Sequence, residues 1–124
     1  MTRTARFFPR TAGRLRCEAI PLAALARRYG TPCYVLSAGS IRAAARAVRE
    51  GFRSLDPLSC YAVKANDAPG VLRLLAHEGF GAEVVSGGEL ALARAAGIPG
   101  RRIVFSGVGK TASEIAAALR AGIL

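Results

Sequence analysis

The sequence is short of lysine, histidine and acidic side chains. Its 124 residues include 18 basic and 8 acidic residues, one histidine and no tryptophan, and its only lysines are Lys64 and Lys110. Arginine stays protonated in proteins, whereas a desolvated lysine is a nucleophilic amine that can form a Schiff base. Lys64 closes an apolar, strand-like run that begins at Leu58. A lone lysine at a strand end is more often a solvated surface group, so position alone does not assign it chemistry.

Cysteines and long apolar runs are also scarce. The cysteines are odd in number, widely spaced and without a CxxC pair, which argues against a disulfide framework or a zinc site and for a reducing compartment. We expect Cys17, Cys33 and Cys60 to be buried small hydrophobic residues. No run of about 18 apolar residues occurs, so we predict no transmembrane helix.

Acidic residues are rarest in the first half, where residues 1–53 hold eleven arginines but only Glu18 and Glu50. A basic imbalance of this kind can mark a nucleic-acid surface. The arginines are, however, scattered along helical stretches without interleaved aromatics. We therefore interpret them as an ordinary solvated face and predict no nucleic-acid partner.

From residue 58 onward the sequence repeats a strand, a loop and a helix that ends in glycine. The predicted strands, roughly 21 residues apart, are Ser59–Ala65, Ala82–Ser86 and Ile103–Ser106, with Ile123 and Leu124 beginning a fourth. The predicted helices have Pro69, Ser86 and either Thr111 or Ser113 at their starts. Strands alternating with helices predict a parallel sheet with right-handed crossovers.

Residues 1–57 follow a different pattern. We predict a helix over Ile20–Tyr29 closed by Gly30, a strand over Thr31–Ser37, and a long helix from Ser40 to about Arg53. Three βα units and the start of a fourth strand cannot close a parallel barrel, which needs eight strands. They fit either a small open sheet or a piece of a larger protein, and the incipient fourth strand favours the piece.

Alternation along the first strand places Cys60, Ala62 and Lys64 on one face and the bulkier Tyr61 and Val63 on the other. In a barrel the bulkier face would pack on the helices. The small residues would leave room for the Lys64 side chain at the carboxyl end, where barrel enzymes keep their sites.

Several motifs, in order and at matching spacing, resemble the diaminopimelate decarboxylases, pyridoxal-phosphate enzymes of the ornithine/diaminopimelate/arginine decarboxylase family. These motifs are Tyr29–Val35, Tyr61–Asn66, Glu83–Leu90, Ile103–Thr111 and the final Ala121–Leu124. The resemblance runs from about Leu22 onward. It implies a lead-in segment over residues 1–37 that pairs with a C-terminal β domain. It also implies that residues 38–124 are the first three βα units of an alanine-racemase-like (β/α)8 barrel of fold type III.

The resemblance also implies a chemistry. Lys64 would hold pyridoxal 5'-phosphate as a Schiff base, with Glu83 and Ser86 as further cofactor-binding residues. The reaction would be decarboxylation of meso-diaminopimelate to L-lysine by a cytoplasmic homodimer, with no metal and no membrane. The ring-stacking histidine, the phosphate loop and a cysteine from the partner subunit would lie beyond Leu124. We expect this N-terminal fragment to be inactive alone.

Three residues qualify this expectation. The family usually has aspartate where Glu83 stands, so Glu83 keeps the charge but carries one more methylene. Glu89 matches a family glutamate, although an acid in the first turn of a helix needs no catalytic role. His77 lies where the family has no catalytic group, and we interpret it as structural or exposed.

Other interpretations remain open. Related decarboxylases of ornithine, arginine or carboxynorspermidine share the lysine, and a non-enzymatic truncated remnant would carry the same motifs. Gly107, Gly109 and Ala112 also fit the dinucleotide fingerprint after a strand. The phosphate-loop pattern fails, because it requires glycine where Val104 stands.

Overall fold

The computed structural model describes residues 6–124, which fall into two compact units, residues 6–43 and 44–124. The first unit contains a small antiparallel sheet of β1 (Arg10–Thr11), β2 (Arg14–Cys17) and β3 (Ile20–Pro21). Helix α1 (Leu22–Tyr29) follows, and Gly30 ends it with a φ of +81°. This helix and its glycine stop were predicted, although its first two predicted residues belong to β3.

The predicted strand over Thr31–Ser37 is wrong. The described residues of this unit include no strand in that segment, and the Tyr34 side chain is fully exposed at 103%. A β-prone composition makes a strand only where a neighbour completes the hydrogen-bonded ladder.

The segment instead ends at a buried serine, Ser37, which directly precedes the next helix, α2 (Ala38–Gly51). Ser37 Oγ accepts a hydrogen bond from Ser40 N–H at 3.0 Å and donates one to Glu18 Oε1 at 2.7 Å. The same Glu18 oxygen accepts the Gly39 N–H at 2.7 Å. The Gly39 N–H first, and then the Ser37 hydroxyl, lower the pKa of Glu18.

The second unit is built on a parallel three-stranded sheet. Its strands β4 (Cys60–Ala62), β5 (Gly81–Val84) and β6 (Ile103–Phe105) lie side by side in sequence order. The register aligns Ala62 with Glu83 and Glu83 with Val104. The connecting helices are α3 (Pro69–His77) and α4 (Gly87–Ala95), and α5 (Ala112–Arg120) follows β6.

Local sequence signals account for where these helices begin. Pro69 occupies the first turn of α3, and Ser86 caps α4 by accepting the Glu89 N–H. Thr111 caps α5, which decides between the two predicted candidates, and it forms a reciprocal capping box with Glu114.

The sheet buries its bulkier face against the helices, as predicted. The core cluster on this side consists of Val63, Leu72, Ala82, Val84, Leu90, Ala93, Ile98, Ile103, Phe105 and Ala118. Helix α2 is tied to the loop after α3, because Arg46 Nε and Arg46 Nη2 donate to the Glu78 carboxylate at 3.0 and 3.2 Å.

Two strand boundaries differ from the prediction. Strand β4 ends at Ala62, because Val63–Ala65 forms a 3-10 turn. No strand is assigned at Ile123 and Leu124, although Leu124 N–H donates to Ile103 O at 3.0 Å beside β6.

The cysteines were all expected to be buried, and the structure confirms this only for Cys17. Cys17 is buried and Cys60 half-buried, but Cys33 is exposed. Burial raises the pKa of the Cys17 and Cys60 thiols, so both favour the protonated form. Among residues 6–124, no helix is long and apolar enough to cross a membrane.

Candidate functional site

Lys64 lies in the 3-10 turn that follows β4, at the carboxyl end of the parallel sheet. Three hydrogen bonds hold this turn and the residues that follow it. Asn66 N–H donates to Val63 O at 3.0 Å, and the Tyr61 hydroxyl donates to Asn66 O at 3.3 Å. The Asn66 side chain in turn accepts the Ala68 N–H at 3.0 Å. These bonds fix the backbone on which Lys64 is carried.

The ammonium group of Lys64 faces a carboxylate from the neighbouring strand. Lys64 Nζ lies 3.7 Å from Glu83 Oε1, and the two side chains are 60% and 22% exposed. The amine is therefore open to solvent and not desolvated. Its accessibility suits an amine that must meet a ligand from solution.

A third residue joins this pair from the next strand. The Ser106 hydroxyl donates a hydrogen bond to the same Glu83 Oε1. Ser106 follows β6 directly, and its own N–H extends the ladder by donating to Val84 O at 2.9 Å. Sequence reasoning missed Ser106, because the register that brings it beside Glu83 cannot be read from one strand alone.

Ser86, the third predicted cofactor residue, serves in the structure as a helix cap. Its Oγ accepts the Glu89 N–H at 3.2 Å, and the hydroxyl hydrogen remains able to donate. Glu89 Oε2 accepts the Val85 N–H at 2.9 Å, so its carboxylate organises the same helix start. This contact matches the interpretation of Glu89 as an acid of a first helical turn.

Glu114 joins the loops that follow β5 and β6, and this link was also missed. Its Oε1 accepts the Gly87 N–H at 2.8 Å, while Oε2 accepts the N–H and the hydroxyl of Thr111, both at 2.9 Å. The Thr111 N–H first, then the Gly87 N–H and the Thr111 hydroxyl, lower the pKa of Glu114. The capping-box spacing predicts the contact between Glu114 and Thr111. No local sequence pattern predicts the contact between Glu114 and Gly87.

The second lysine has different surroundings. Lys110 Nζ donates to Gly107 O at 2.6 Å and lies 5.2 Å from the centre of the Phe105 ring. Both contacts are with residues close in sequence, so this amine is held against its own loop. Lys64 instead reaches across to another strand.

The single histidine lies away from this edge. His77 is exposed at the last residue of α3, and a helix that follows a parallel strand ends at the opposite edge of the sheet. Within residues 6–124, no three histidine, cysteine, aspartate or glutamate side chains come together as a metal-binding group.

Comparison with known proteins places this geometry in a family. The family model described as "Pyridoxal-dependent decarboxylase, pyridoxal binding domain" matches residues 38–124. The chain belongs to the pyridoxal-dependent decarboxylase family. Its predicted fold class is thereby confirmed: the chain carries three βα units of the barrel that binds pyridoxal phosphate in this family.

Named members of the pyridoxal-dependent decarboxylases are close in sequence. Diaminopimelate decarboxylase of Aquifex aeolicus is 49% identical over 112 residues, which are 90% of this chain and 26% of that protein. The chain thus spans about a quarter of the length of the curated relatives it matches.

Solved structures agree in backbone. An Aquifex aeolicus protein superposes with a TM-score of 0.91 at 43% identity, covering 98% of this chain and 31% of that one. Diaminopimelate decarboxylase of M. jannaschii in complex with L-lysine gives a TM-score of 0.87 at 36% identity, covering 94% and 28%.

Proposed function

We propose that the chain is the lysine-bearing part of a pyridoxal-phosphate-dependent diaminopimelate decarboxylase, with Lys64 as the residue that holds the cofactor. The observation that carries this proposal is the exposed Lys64 amine at the carboxyl edge of the sheet, 3.7 Å from the Glu83 carboxylate. Carboxyl edges of parallel barrel strands are where barrel enzymes keep their catalytic groups.

The residues present fit the cofactor. An accessible primary amine can bind the cofactor aldehyde, and Lys64 Nζ lies 3.7 Å from a carboxylate of the neighbouring strand. The small Ala62 ends strand β4 two residues before Lys64. When bound, pyridoxal phosphate supplies an electron sink for the charge left by loss of CO2.

The chain's own residues would hold and orient this amine. Glu83 balances the charge of the Lys64 ammonium group and retains the amine at the edge of the sheet. The Ser86 oxygen accepts the hydrogen bond that caps α4, and its hydroxyl hydrogen is available to donate to a cofactor oxygen. Glu114 fixes the loop on which Ser86 lies by binding the neighbouring Gly87 N–H.

The proposed substrate is meso-diaminopimelate and the products are L-lysine and CO2. Support comes from curated relatives named diaminopimelate decarboxylase at 41–49% identity. The M. jannaschii enzyme that superposes on this chain was solved with L-lysine.

We further propose that residues 1–37 form a lead-in segment that packs against a C-terminal β domain in the full-length, cytoplasmic homodimer. An apolar hollow of about 320 Å³ in this segment supports the packing, as do the exposed Tyr34 and Leu36 at its rim. Exposed apolar surface of this kind marks an interaction site.

Light scattering of the full-length protein tests the proposed homodimer, and a monomeric mass would contradict it.

A chimera tests the activity. The matching quarter of the Aquifex aeolicus enzyme is replaced by this chain, and L-lysine and CO2 formation from meso-diaminopimelate are measured beside ornithine and arginine. We expect lysine formation, its loss in Lys64→Ala, and its retention in the matched control Lys110→Ala. A folded chimera that acts on ornithine or arginine instead, or on none of the three, would contradict the proposal.

A further inference from the structure

The contact between Ser106 and Glu83 gives the carboxylate a fixed direction. A glutamate side chain has several rotatable bonds, so a half-exposed carboxylate does not face one neighbour unless something holds it. Here Glu83 Oε1 accepts the Ser106 hydroxyl and is also the oxygen nearest Lys64 Nζ. One oxygen atom therefore connects the two side chains on either side of it.

The backbone explains why Ser106 can hold this carboxylate. Its N–H donates to Val84 O at 2.9 Å, which fixes the residue one step beyond the end of β6. Glu83 is aligned with Val104 in the ladder, so Ser106 lies two residues further toward the carboxyl edge on the same face. On the other side, Ala62 is aligned with Glu83, and Lys64 follows two residues later in the 3-10 turn.

We propose that Ser106 is a positioning residue, whose hydroxyl holds the Glu83 carboxylate against Lys64 and so sets the reactivity of the Lys64 amine. The role rests on the proposed function, since it concerns the same lysine. Ser106 acts through Glu83, whose Oε1 it binds. An amine engaged in an ion pair with a carboxylate held 3.7 Å away is less available to react with an electrophile from solution.

Competitive acetylation measures this effect without cofactor. The folded chain is labelled with a trace of light acetic anhydride, unfolded, and labelled to completion with the heavy reagent. Cleavage at arginine then places Lys64 and Lys110 on separate peptides, 54–73 and 103–120. The light fraction at Lys64 reports its reactivity, and Lys110 serves as the internal control.

We expect Ser106→Ala to raise the light fraction at Lys64 about two- to five-fold, the range of a partly exposed ion pair. Ser106→Thr, which retains the hydroxyl, should stay close to the wild type. Glu83→Gln should raise the fraction at least as much as Ser106→Ala. The double variant should match Glu83→Gln alone, because Ser106 acts through that carboxylate.

Equal labelling of Lys64 in Ser106→Ala and wild type would overturn the proposal, and so would additive effects in the double variant. A rise at both lysines in Ser106→Ala would indicate loss of the fold. Ser106→Cys, similar in size but a weaker donor, then decides: a rise confined to Lys64 supports the proposal, and no change overturns it. Because no cofactor is used, these results are independent of whether Lys64 binds pyridoxal phosphate.

Discussion

At the scale of single residues, the candidate site is organised around one oxygen atom, Glu83 Oε1. It accepts the Ser106 hydroxyl and faces Lys64 Nζ. The carboxyl ends of neighbouring parallel strands lie side by side, so residues far apart in sequence meet there. The alternation of β4 and the flanking motifs placed Lys64 and Glu83 at this edge. Ser106 could be added only once the register between β5 and β6 was known.

Glu114 provides a residue-scale prediction about pH. Its pKa is lowered in the folded chain, so its contribution to stability is complete above the pKa of an unfolded glutamate. That contribution is lost as the pH falls through the lower, folded pKa. We therefore expect acid to destabilise the wild type more steeply than Glu114→Gln, measured by urea unfolding across the acid range.

The matched control for this experiment is Glu50→Gln. The Glu50 carboxylate pairs with Arg53 at 2.6 Å on the exposed surface of α2, where removal of a charge has little effect on stability. Its acid dependence should follow the wild type. Parallel pH profiles for Glu114→Gln and the wild type would show that the bridge between the two loops contributes no stability.

At the scale of secondary-structure elements, the sheet requires glycine at Gly81. A Cβ built there would lie 2.2 Å from Arg102 O and 3.0 Å from Cys60 Sγ. Because a backbone carbonyl cannot move without disturbing the parallel ladder, we expect Gly81→Ala to lower the free energy of unfolding by about 3 kcal/mol. Chemical denaturation measures the change.

Gly70→Ala is the control for that substitution. Gly70 lies in helix α3, and a Cβ there meets nothing within 4 Å. Alanine is the better helix former, so the variant should be unchanged or more stable by up to about 1 kcal/mol. Equal effects at Gly70 and Gly81 would contradict the close approach of the strands.

The helices also make a prediction about the core that they cover. Leu72 of α3 is 1% exposed within the cluster behind the sheet, whereas Leu119 of α5 is 75% exposed. Leu72→Ala should cost about 2–5 kcal/mol of stability, because it removes buried methyl groups and leaves a cavity. Leu119→Ala should change stability by less than about 0.5 kcal/mol. Thermal and urea unfolding would show the difference, and similar losses in both variants would disprove this core.

The ends of helices could be predicted from the sequence where the residues that mark them act on near neighbours in the chain. Thr111 and Gly30 mark helix ends through bonds to residues three or four positions away, and Pro69 marks a helix start through its fixed φ. The structure has each of them at a helix end. The strand expected over Thr31–Ser37 failed, because a strand depends on a partner that its own sequence does not specify. The link from Glu114 to Gly87 was hidden for the same reason, since 27 residues separate them.

At the scale of the whole molecule, the chain spans 26% of the Aquifex aeolicus diaminopimelate decarboxylase. The Lys64 amine, the Glu83 carboxylate and the Ser106 hydroxyl come from three neighbouring strands of a barrel that has eight. We expect purified chain 1–124 to release no CO2 from meso-diaminopimelate, even with pyridoxal phosphate present. A radiometric CO2 assay measures this, and turnover that disappears in Lys64→Ala would contradict the expectation.

The central claim is that Lys64 is the amine that binds pyridoxal phosphate. The most direct measurement is to incubate the chain with the cofactor, reduce it with borohydride, and map the modified peptide by mass spectrometry. We expect a pyridoxyl group on Lys64 within peptide 54–73 and its absence from the Lys64→Ala variant. Modification of Lys110 within peptide 103–120, or of neither lysine, would contradict it.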